Sequence, residues 1–214
     1  MRLFRTTISC LIFFLAVCDA RAQTNPPPGG GGRGRGGGGG RGGAQTMTLV
    51  TTAWPDGGMI PLRYSQAGPE ISPSIQWSGA PSGATSFVLT FQDLDTPVNN
   101  STDSMLLWML WNIPGSATSI AQGRPDGFEW PDGTRQLSVS GSRYRGPGAP
   151  ASGPIHHYVL ELYALDTMLD IKVNPQGPQD PNPNVQTIRT SIMQAMVGHI
   201  RGKAAYTGLF HRPE

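Results

Sequence analysis

Residues 86–97 read S-F-V-L-T-F-Q-D-L-D-T-P, and this stretch decides how the chain folds. Its first seven residues are uncharged and mostly apolar or β-branched, which predicts a buried strand over residues 86–92. Residues two apart in an extended chain point to the same side, so Asp93 and Asp95 are expected to present two carboxylates together at the strand end. Pro97 cannot continue the ladder. By spacing alone, a turn in which the aspartates accept backbone N–H groups is the more common origin of such a motif.

Other runs of strand length lie on both sides of this stretch, and turns rich in Gly and Pro, such as residues 55–58, separate them. The further predicted strands are 46–52, 75–77, 105–113, 158–165 and 204–210, and residues 59–64 are expected to be extended. Trp108 and Trp111 are predicted to lie in the core, and Asn112 is predicted to be structural. The pattern predicts a mainly β fold, a β-sandwich or related Greek-key arrangement.

One helix is predicted near the C terminus, over residues 185–199. Ile188, Ile192 and Met196 recur there at helical spacing, and Pro183 and Asn184 precede it as cap residues. The segment before it, residues 170–184, is rich in Pro, Asn and Asp and predicts a long surface loop.

The first 22 residues have the features of a secretory signal peptide. Arg2 and Arg5 precede an apolar run over residues 8–17, and small residues at 20 and 22 predict cleavage after Ala22. The run is too short to span a bilayer, so a membrane anchor is the lesser alternative. A lipoprotein motif at residues 15–18 is a further alternative, although Val17 is large for the position before a modified cysteine. Both cysteines of the chain lie in this segment, so the exported protein would contain no disulfide.

A linker is predicted over residues 23–44, because twelve of the fifteen residues from 29 to 43 are glycine and three are arginine. Such a segment has no apolar groups to bury, which favours a flexible tether over an RNA-binding arm in an exported protein. The remaining domain, residues 45–214, holds 10 basic and 13 acidic residues. Its mild acidity gives no support for nucleic-acid binding.

Residues 144–158 read Y-R-G-P-G-A-P-A-S-G-P-I-H-H-Y and predict a stiff loop followed by a strand. His156 and Tyr158 are expected on one side of that strand and His157 on the other. A loop that exposes backbone N–H groups beside a histidine and a tyrosine indicates an anion site. A histidine that only completes a structural hydrogen bond is the alternative.

Taken together, these motifs resemble the phosphatidylethanolamine-binding protein family, most closely its bacterial branch of Raf kinase inhibitor-like proteins. The resemblance runs from Gly57 to the C terminus. It is carried by G-G-M-I-P-L-R-Y-S at 57–65, S-P-S-I-Q-W-S-G at 72–79, D-L-D-T-P at 93–97, W-N-I-P at 111–114, Y-R-G-P at 144–147, H-H-Y at 156–158 and A-M-V-G-H-I at 195–200.

The resemblance implies a large antiparallel sheet packed against a smaller sheet, with a helix near the C terminus. It also implies a small pocket for phosphate-like anions, including the phosphate of phosphatidylethanolamine head groups. The pocket residues that match the family are two from its acidic motif, two from its H-R-Y motif and two from its G-P loop: Asp93, Asp95, His156, Tyr158, Gly146 and Pro147.

This chain departs from the family pattern at four positions. Leu107 stands where the family usually has a histidine, and Leu94, His157 and Glu70 replace a proline, an arginine and an asparagine. Loss of the histidine removes a cationic donor, and a charge-assisted hydrogen bond is worth about 1.5–3 kcal/mol. The affinity for an anion is therefore expected to fall by about one to two orders of magnitude.

The expected function is that of an exported, non-enzymatic binding module, with no catalytic residue, cofactor or metal. Its partner would be phosphate or a phosphoethanolamine head group, with at most peripheral membrane contact, and binding would weaken as His156 deprotonates above roughly pH 6.5. Two alternatives stay open: a secreted protein-interaction or protease-inhibitor domain, and a hydrolase that uses Asp93, Asp95 and His156 as acid and base. The chain contains neither a G-x-S-x-G nor an H-E-x-x-H motif.

Overall fold

The computed structural model describes residues 43–173 and 185–214. The predicted signal peptide (1–22), almost all of the predicted linker (23–44) and most of the predicted loop (170–184) lie outside these residues.

The described residues form nine strands and one α-helix. In chain order they are β1 Gln45–Thr46, β2 Thr48–Val50, β3 Ile75–Ser78, β4 Ser86–Pro97, β5 Ser104–Pro114, β6 Ser119–Ile120, β7 Arg135–Leu137, β8 His156–Leu165, α1 Val185–Ala195 and β9 Ile200–Phe210. Six strands form a large sheet in the order β1-β9-β8-β4-β5-β7, and three form a small sheet in the order β2-β3-β6.

The predicted architecture of a large sheet, a smaller sheet and a C-terminal helix is confirmed, with local differences. The large sheet is mixed rather than purely antiparallel, because β1 runs parallel to β9 with Gln45 opposite Gly202. The extended conformation predicted for residues 59–64 is wrong at its end, where Leu62–Tyr64 forms a 3₁₀ turn. The helix ends at Ala195, before Gly198 with a φ of +85°, so β9 begins earlier than predicted.

The large sheet is buried on both faces. Leu89 and Trp108 belong to the apolar cluster that includes the side chains of the small sheet. Met109 and Trp111 belong to a second cluster, which includes Ile192 of α1. A strand covered on both faces needs apolar residues at every position, which explains the continuous apolar runs of β4 and β5. The prediction that Trp108 and Trp111 lie in the core is confirmed.

The ladder between β4 and β5 contains an extra residue at Leu107. Phe91 lies opposite Trp108, but the next residue, Gln92, lies opposite Leu106. Leu107 is therefore a bulge, and such an insertion bends the strand and redirects side chains. As a result, the side chains of Leu107 and Trp108 both join the cluster that faces the small sheet.

A second extra residue of β5 lies opposite the β4 segment between Phe87 and Leu89. At this point Asn112 has a φ of +55°, in the left-handed region where asparagine is tolerated better than most residues. Its side chain donates Nδ2–H to the Leu169 carbonyl oxygen at 3.0 Å and accepts the Leu169 N–H on Oδ1 at 2.8 Å. Asn112 is thus structural, as predicted, because it satisfies both backbone groups of a buried residue that follows β8.

Two substitutions at position 112 separate the backbone conformation from the hydrogen bonds. Asn112→Gly keeps the φ accessible but removes both bonds, so the free energy of unfolding should fall by about 1–3 kcal/mol. Asn112→Ala adds the cost of a Cβ in the left-handed region, about 1–2 kcal/mol more. Urea unfolding curves of the two variants and the parent measure these differences. Equal stability of all three would contradict this account of Asn112.

Candidate functional site

The antiparallel pairing of β4 with β8 brings together two motifs that are far apart in the sequence. Asp93 lies opposite Tyr158 in this ladder, so its side chain is next to that of His156. The distance from His156 Nδ1 to Asp93 Oδ2 is 2.9 Å. Because a carboxylate only accepts, Nδ1 carries the hydrogen of this bond. The pairing thereby fixes the orientation of the His156 ring.

Asp93 is a saturated acceptor at the end of β4. Its Oδ1 accepts the Asp95 N–H at 3.0 Å, and its Oδ2 accepts the Thr96 hydroxyl at 3.0 Å in addition to His156. The side chains of Asp93 and His156 are only 6% and 13% exposed. The second ring nitrogen of His156, Nε2, makes no hydrogen bond within residues 43–173 and 185–214. The arrangement therefore leaves Nε2 as the polar atom available to a ligand.

Tyr158 lies beneath this pair rather than beside it. Its ring is 6.4 Å from the His156 ring, with an interplanar angle of 27°. Its hydroxyl oxygen accepts the Ala149 N–H at 3.3 Å and is buried. Burial, and after it the negative charge of Asp93, raise the pKa of the Tyr158 hydroxyl well above its usual range. Tyr158 therefore stays neutral and anchors the loop that passes over it.

The bulge at Leu107 positions Arg145. The Leu107 carbonyl accepts the backbone N–H of Arg145 at 3.0 Å. One terminal guanidinium nitrogen then donates to Ser140 Oγ at 2.6 Å and the other to Gln66 Oε1 at 3.1 Å. The Nε of Arg145 is buried and has no hydrogen-bond partner among the described residues. The guanidinium is thus held in one place by two of its five N–H groups.

The loop that carries Arg145 is docked on the segment 64–70. Gln66 donates Nε2–H to the Gly146 carbonyl at 2.7 Å, and its backbone N–H donates to the Pro147 carbonyl at 2.9 Å. Gly146 fits because a Cβ there would lie 2.3 Å from the Tyr64 carbonyl oxygen. This close backbone contact explains the glycine of the Y-R-G-P motif by packing.

A cavity of about 150 Å³ opens between the end of β4 and this loop. Its polar lining includes Asp93, Thr96 and His156, and Arg145 and Gln66 enter from the other side. The rest of the lining is apolar or backbone, from Met105, Leu107, Gly148, Ala149 and Pro150.

The predicted site residues fall into three groups. Asp93 and His156 line the cavity, whereas Tyr158 supports it from below. Gly146 and Pro147 do not line it but hold the loop whose next three residues do. Asp95 does not line it, and whether these residues bind an anion stays a prediction.

Asp95 turns away from Asp93 to a different histidine. Three residues of β4 separate Asp93 from Pro97, whereas their partners in β5, Met105 and Ser104, are adjacent. The regular alternation of side chains therefore ends at this point of β4. The Asp95 carboxylate accepts the His157 backbone N–H at 2.5 Å and lies 3.1 Å from His157 Nδ1. The backbone bond from His157, more than any other contact, lowers the pKa of the Asp95 carboxyl. The expectation of two carboxylates presented together is therefore wrong in geometry.

Sequence reasoning missed four side chains of the cavity. Arg145 lies inside the quoted Y-R-G-P motif, whereas Gln66 lies just outside a quoted motif, directly after P-L-R-Y-S. Thr96 is the threonine of D-L-D-T-P. Nothing in the sequence indicated that Met105 lines a cavity, because it belongs to an apolar run that predicts a buried strand.

No group of three or more His, Cys, Asp or Glu side chains is arranged to hold a metal ion within residues 43–173 and 185–214. No helix there is both long and apolar enough to cross a bilayer.

Fold and cavity together define a two-sheet β protein with a small, partly charged pocket between a strand end and a Gly- and Pro-rich loop. The family model described as "Phosphatidylethanolamine-binding protein" matches residues 50–211, and the chain belongs to this family. The predicted family is thereby confirmed.

Relatives and solved structures agree with this assignment. A UPF0098 protein of Methanothermobacter thermautotrophicus is 38% identical over 168 residues, covering 78% of this chain and 99% of that protein. The crystal structure of a phosphatidylethanolamine-binding protein homologue, CT736 from Chlamydia trachomatis, has a TM-score of 0.61 at 26% identity, covering 79% of this chain and 99% of that one. Escherichia coli YbcL shares the fold, with a TM-score of 0.62 at 21% identity and coverages of 78% and 98%.

The contact of Asp95 with His157 predicts a pH-dependent contribution to stability. A carboxyl whose pKa is lowered by folding stabilises the protein above its unfolded pKa, about 3.9, and loses that effect as the pH falls through the folded value. The stability difference between the parent and Asp95→Asn should therefore shrink below about pH 4. Urea unfolding at several pH values measures it. Asp103→Asn serves as the control, because the Asp103 carboxylate makes no hydrogen bond in the described residues. A difference that stays constant down to pH 2 would contradict this role of Asp95.

Proposed function

We propose that this chain is an exported, non-enzymatic binding module whose cavity holds a small phosphate-like anion. The ligand is either free phosphate or the phosphate of a phosphoethanolamine head group. The name of the family, phosphatidylethanolamine-binding protein, supports this ligand class. The chemical basis for anion binding is the positive charge and the hydrogen-bond donors of Arg145 and His156 in the cavity lining.

The observation that carries the proposal is the fixed guanidinium of Arg145 in the lining of the cavity. Ser140 and Gln66 immobilise it through one N–H group on each terminal nitrogen. No carboxylate forms an ion pair with it in the described part of the chain. An anion in the cavity would therefore lie beside a positive charge that no carboxylate pairs with, and the remaining terminal N–H groups could donate to it.

His156 supplies the second donor. When its ring is protonated, Asp93 accepts from Nδ1 and stabilises the positive charge, while Nε2–H is free to donate to the ligand. The carboxylate then orients the histidine instead of repelling the anion. Asp93, protonated His156 and Arg145 together leave one net positive charge, which suits a singly charged phosphate group.

Leu107 limits the affinity. It lines the cavity beside Met105 and Pro150, at a position where a histidine would add a donor. The apolar side of the cavity cannot bond to phosphate oxygens, so two charged donors carry the binding instead of three. The expected affinity is accordingly low.

Export is supported by two observations. The first 22 residues have the composition of a signal peptide. A Mycobacterium tuberculosis protein named as a lipoprotein, LppC, is 28% identical over 189 residues, covering 87% of this chain and 85% of that protein. In the exported protein, residues 23–44 would be a flexible tether that keeps any membrane contact peripheral.

Binding without turnover fits the chemistry of the cavity. Its only hydroxyl side chain in the described residues is Thr96, and that hydroxyl lies 3.0 Å from Asp93 Oδ2 and 3.5 Å from His156 Nδ1, the nitrogen whose hydrogen is already directed to Asp93. A nucleophile activated by His156 would need to reach the free Nε2. Phosphate esters are therefore expected to bind and not to be hydrolysed.

Isothermal titration calorimetry at mildly acid pH tests the proposal with inorganic phosphate and with phosphoethanolamine, because His156 can donate from both ring nitrogens only when its ring is protonated. Arg145→Gln should weaken binding of both about 10- to 100-fold, because one charged donor is lost. Arg201→Gln removes the same positive charge outside the cavity, where Arg201 pairs with Asp166, and should leave binding unchanged. A preference for phosphoethanolamine over phosphate would identify the head group as the source.

Leu107→His is the complementary variant. It places a third donor in the cavity and should raise the phosphate affinity about tenfold at the same pH, whereas Leu107→Met should not. No saturable binding by either the parent or Leu107→His would refute the anion pocket. Equal loss of binding in Arg145→Gln and Arg201→Gln would refute the assigned contacts.

A further inference from the structure

A second cavity, of about 300 Å³, lies on the other side of the Arg145 loop. Tyr144 lines it, whereas the next residue, Arg145, lines the phosphate cavity. Four charged side chains line this second cavity, namely Glu70, Arg124, Asp126 and Arg143. It shares no lining residue with the first one, so it requires its own explanation.

Arg124 is held rigidly at this cavity. Its guanidinium carbon lies 3.8 Å from the centroid of the Trp130 ring, a close cation–π contact, and one terminal nitrogen lies 3.6 Å from Asp132. Its backbone N–H donates to Ser72 Oγ at 2.8 Å. Nevertheless, the Nε of Arg124 is buried without a hydrogen-bond partner among the described residues. Arg124 lines the cavity, so it supplies a positive charge at a fixed place there.

Glu70 is fixed as well. It adopts a φ of +57°, which is strained for glutamate, and its Oε1 accepts the Gly146 N–H at 2.9 Å. Its second carboxylate oxygen makes no hydrogen bond within residues 43–173 and 185–214. Strained backbone conformations persist where the surrounding structure holds a side chain in a required place.

The four charges do not neutralise one another. No ion pair joins Glu70 or Asp126 to Arg124 or Arg143 in the described part of the chain, although opposite charges line the same cavity. Arg143 instead donates Nε–H to the Ser140 carbonyl at 3.3 Å. A ligand with a single charge would be attracted either by the two arginines or by the two carboxylates, and repelled by the other two side chains. A ligand with both charges would use all four side chains.

We propose that this cavity binds a small zwitterion of the α-amino-acid type. Arg124 and Arg143 would hold its carboxylate, and Glu70 and Asp126 would hold its ammonium group. The site is separate from the phosphate cavity, and its existence does not depend on the function proposed above.

Titration of the ¹⁵N-labelled protein with L-alanine tests the proposal, with acetate and ethylamine as probes that carry only one of the two charges. The indole N–H signal of Trp130 is the reporter, because its ring contacts Arg124. L-alanine is expected to shift this signal saturably, with an affinity about three- to tenfold higher than either single-charge probe.

Variants locate the binding and separate it from the phosphate cavity. Asp126→Asn and Arg143→Gln should each weaken L-alanine binding about three- to tenfold. Glu129→Gln is the matched control, because Glu129 pairs with Arg135 and does not line the cavity. Arg145→Gln should also leave L-alanine binding unchanged. No saturable shift with L-alanine, or equal shifts with L-alanine and acetate, would overturn the proposal, whatever the outcome for phosphate.

Discussion

The antiparallel pairing of β4 with β8 is the constraint on which the rest of the structure depends. It sets Asp93 opposite Tyr158 and thereby brings His156 within 2.9 Å of the Asp93 carboxylate. A shift of this register by one residue would turn His156 away and expose the apolar side chains that lie between the two sheets. Burial of the large sheet on both faces opposes any such shift, because Leu89 and Val88 pack into clusters on opposite sides. The energy of the core therefore also maintains the geometry of the polar site.

Departures from regular pairing are concentrated where that sheet meets the cavity. The bulge at Leu107 directs a side chain into the cavity and a carbonyl toward the backbone of Arg145. The three extra residues between Asp93 and Pro97 turn Asp95 away to His157. Without the first bulge, Leu107 would face α1, and the arginine loop would lose its anchor on β5. These insertions thus open a cavity at the end of a regular ladder.

Much of the fold was predictable from the sequence, because two features of the sequence indicated it independently: the apolar runs and the order of the short motifs. Apolar runs at 86–92, 105–113 and 158–165 predicted β4, β5 and β8, and the order of short motifs predicted the family. Strand alternation placed His156 and Tyr158 on one side, but it failed for Asp95, since nothing local in D-L-D-T-P reveals extra residues relative to a partner strand. Arg145 was overlooked for a similar reason: its role depends on Leu107, Ser140 and Gln66, which are distant in sequence. The parallel pairing of β1 likewise depends on β9, at the opposite end of the chain.

The central claim is that Arg145 and His156 together hold a phosphate group in the cavity at the end of β4. A crystal structure of the protein grown in phosphate at mildly acid pH tests it most directly. The account predicts tetrahedral density whose oxygens lie about 2.7–3.1 Å from a terminal guanidinium nitrogen of Arg145 and from His156 Nε2, with the Asp93 contact to Nδ1 retained. A cavity that contains only water at saturating phosphate, or a phosphate bound without either residue, would contradict it.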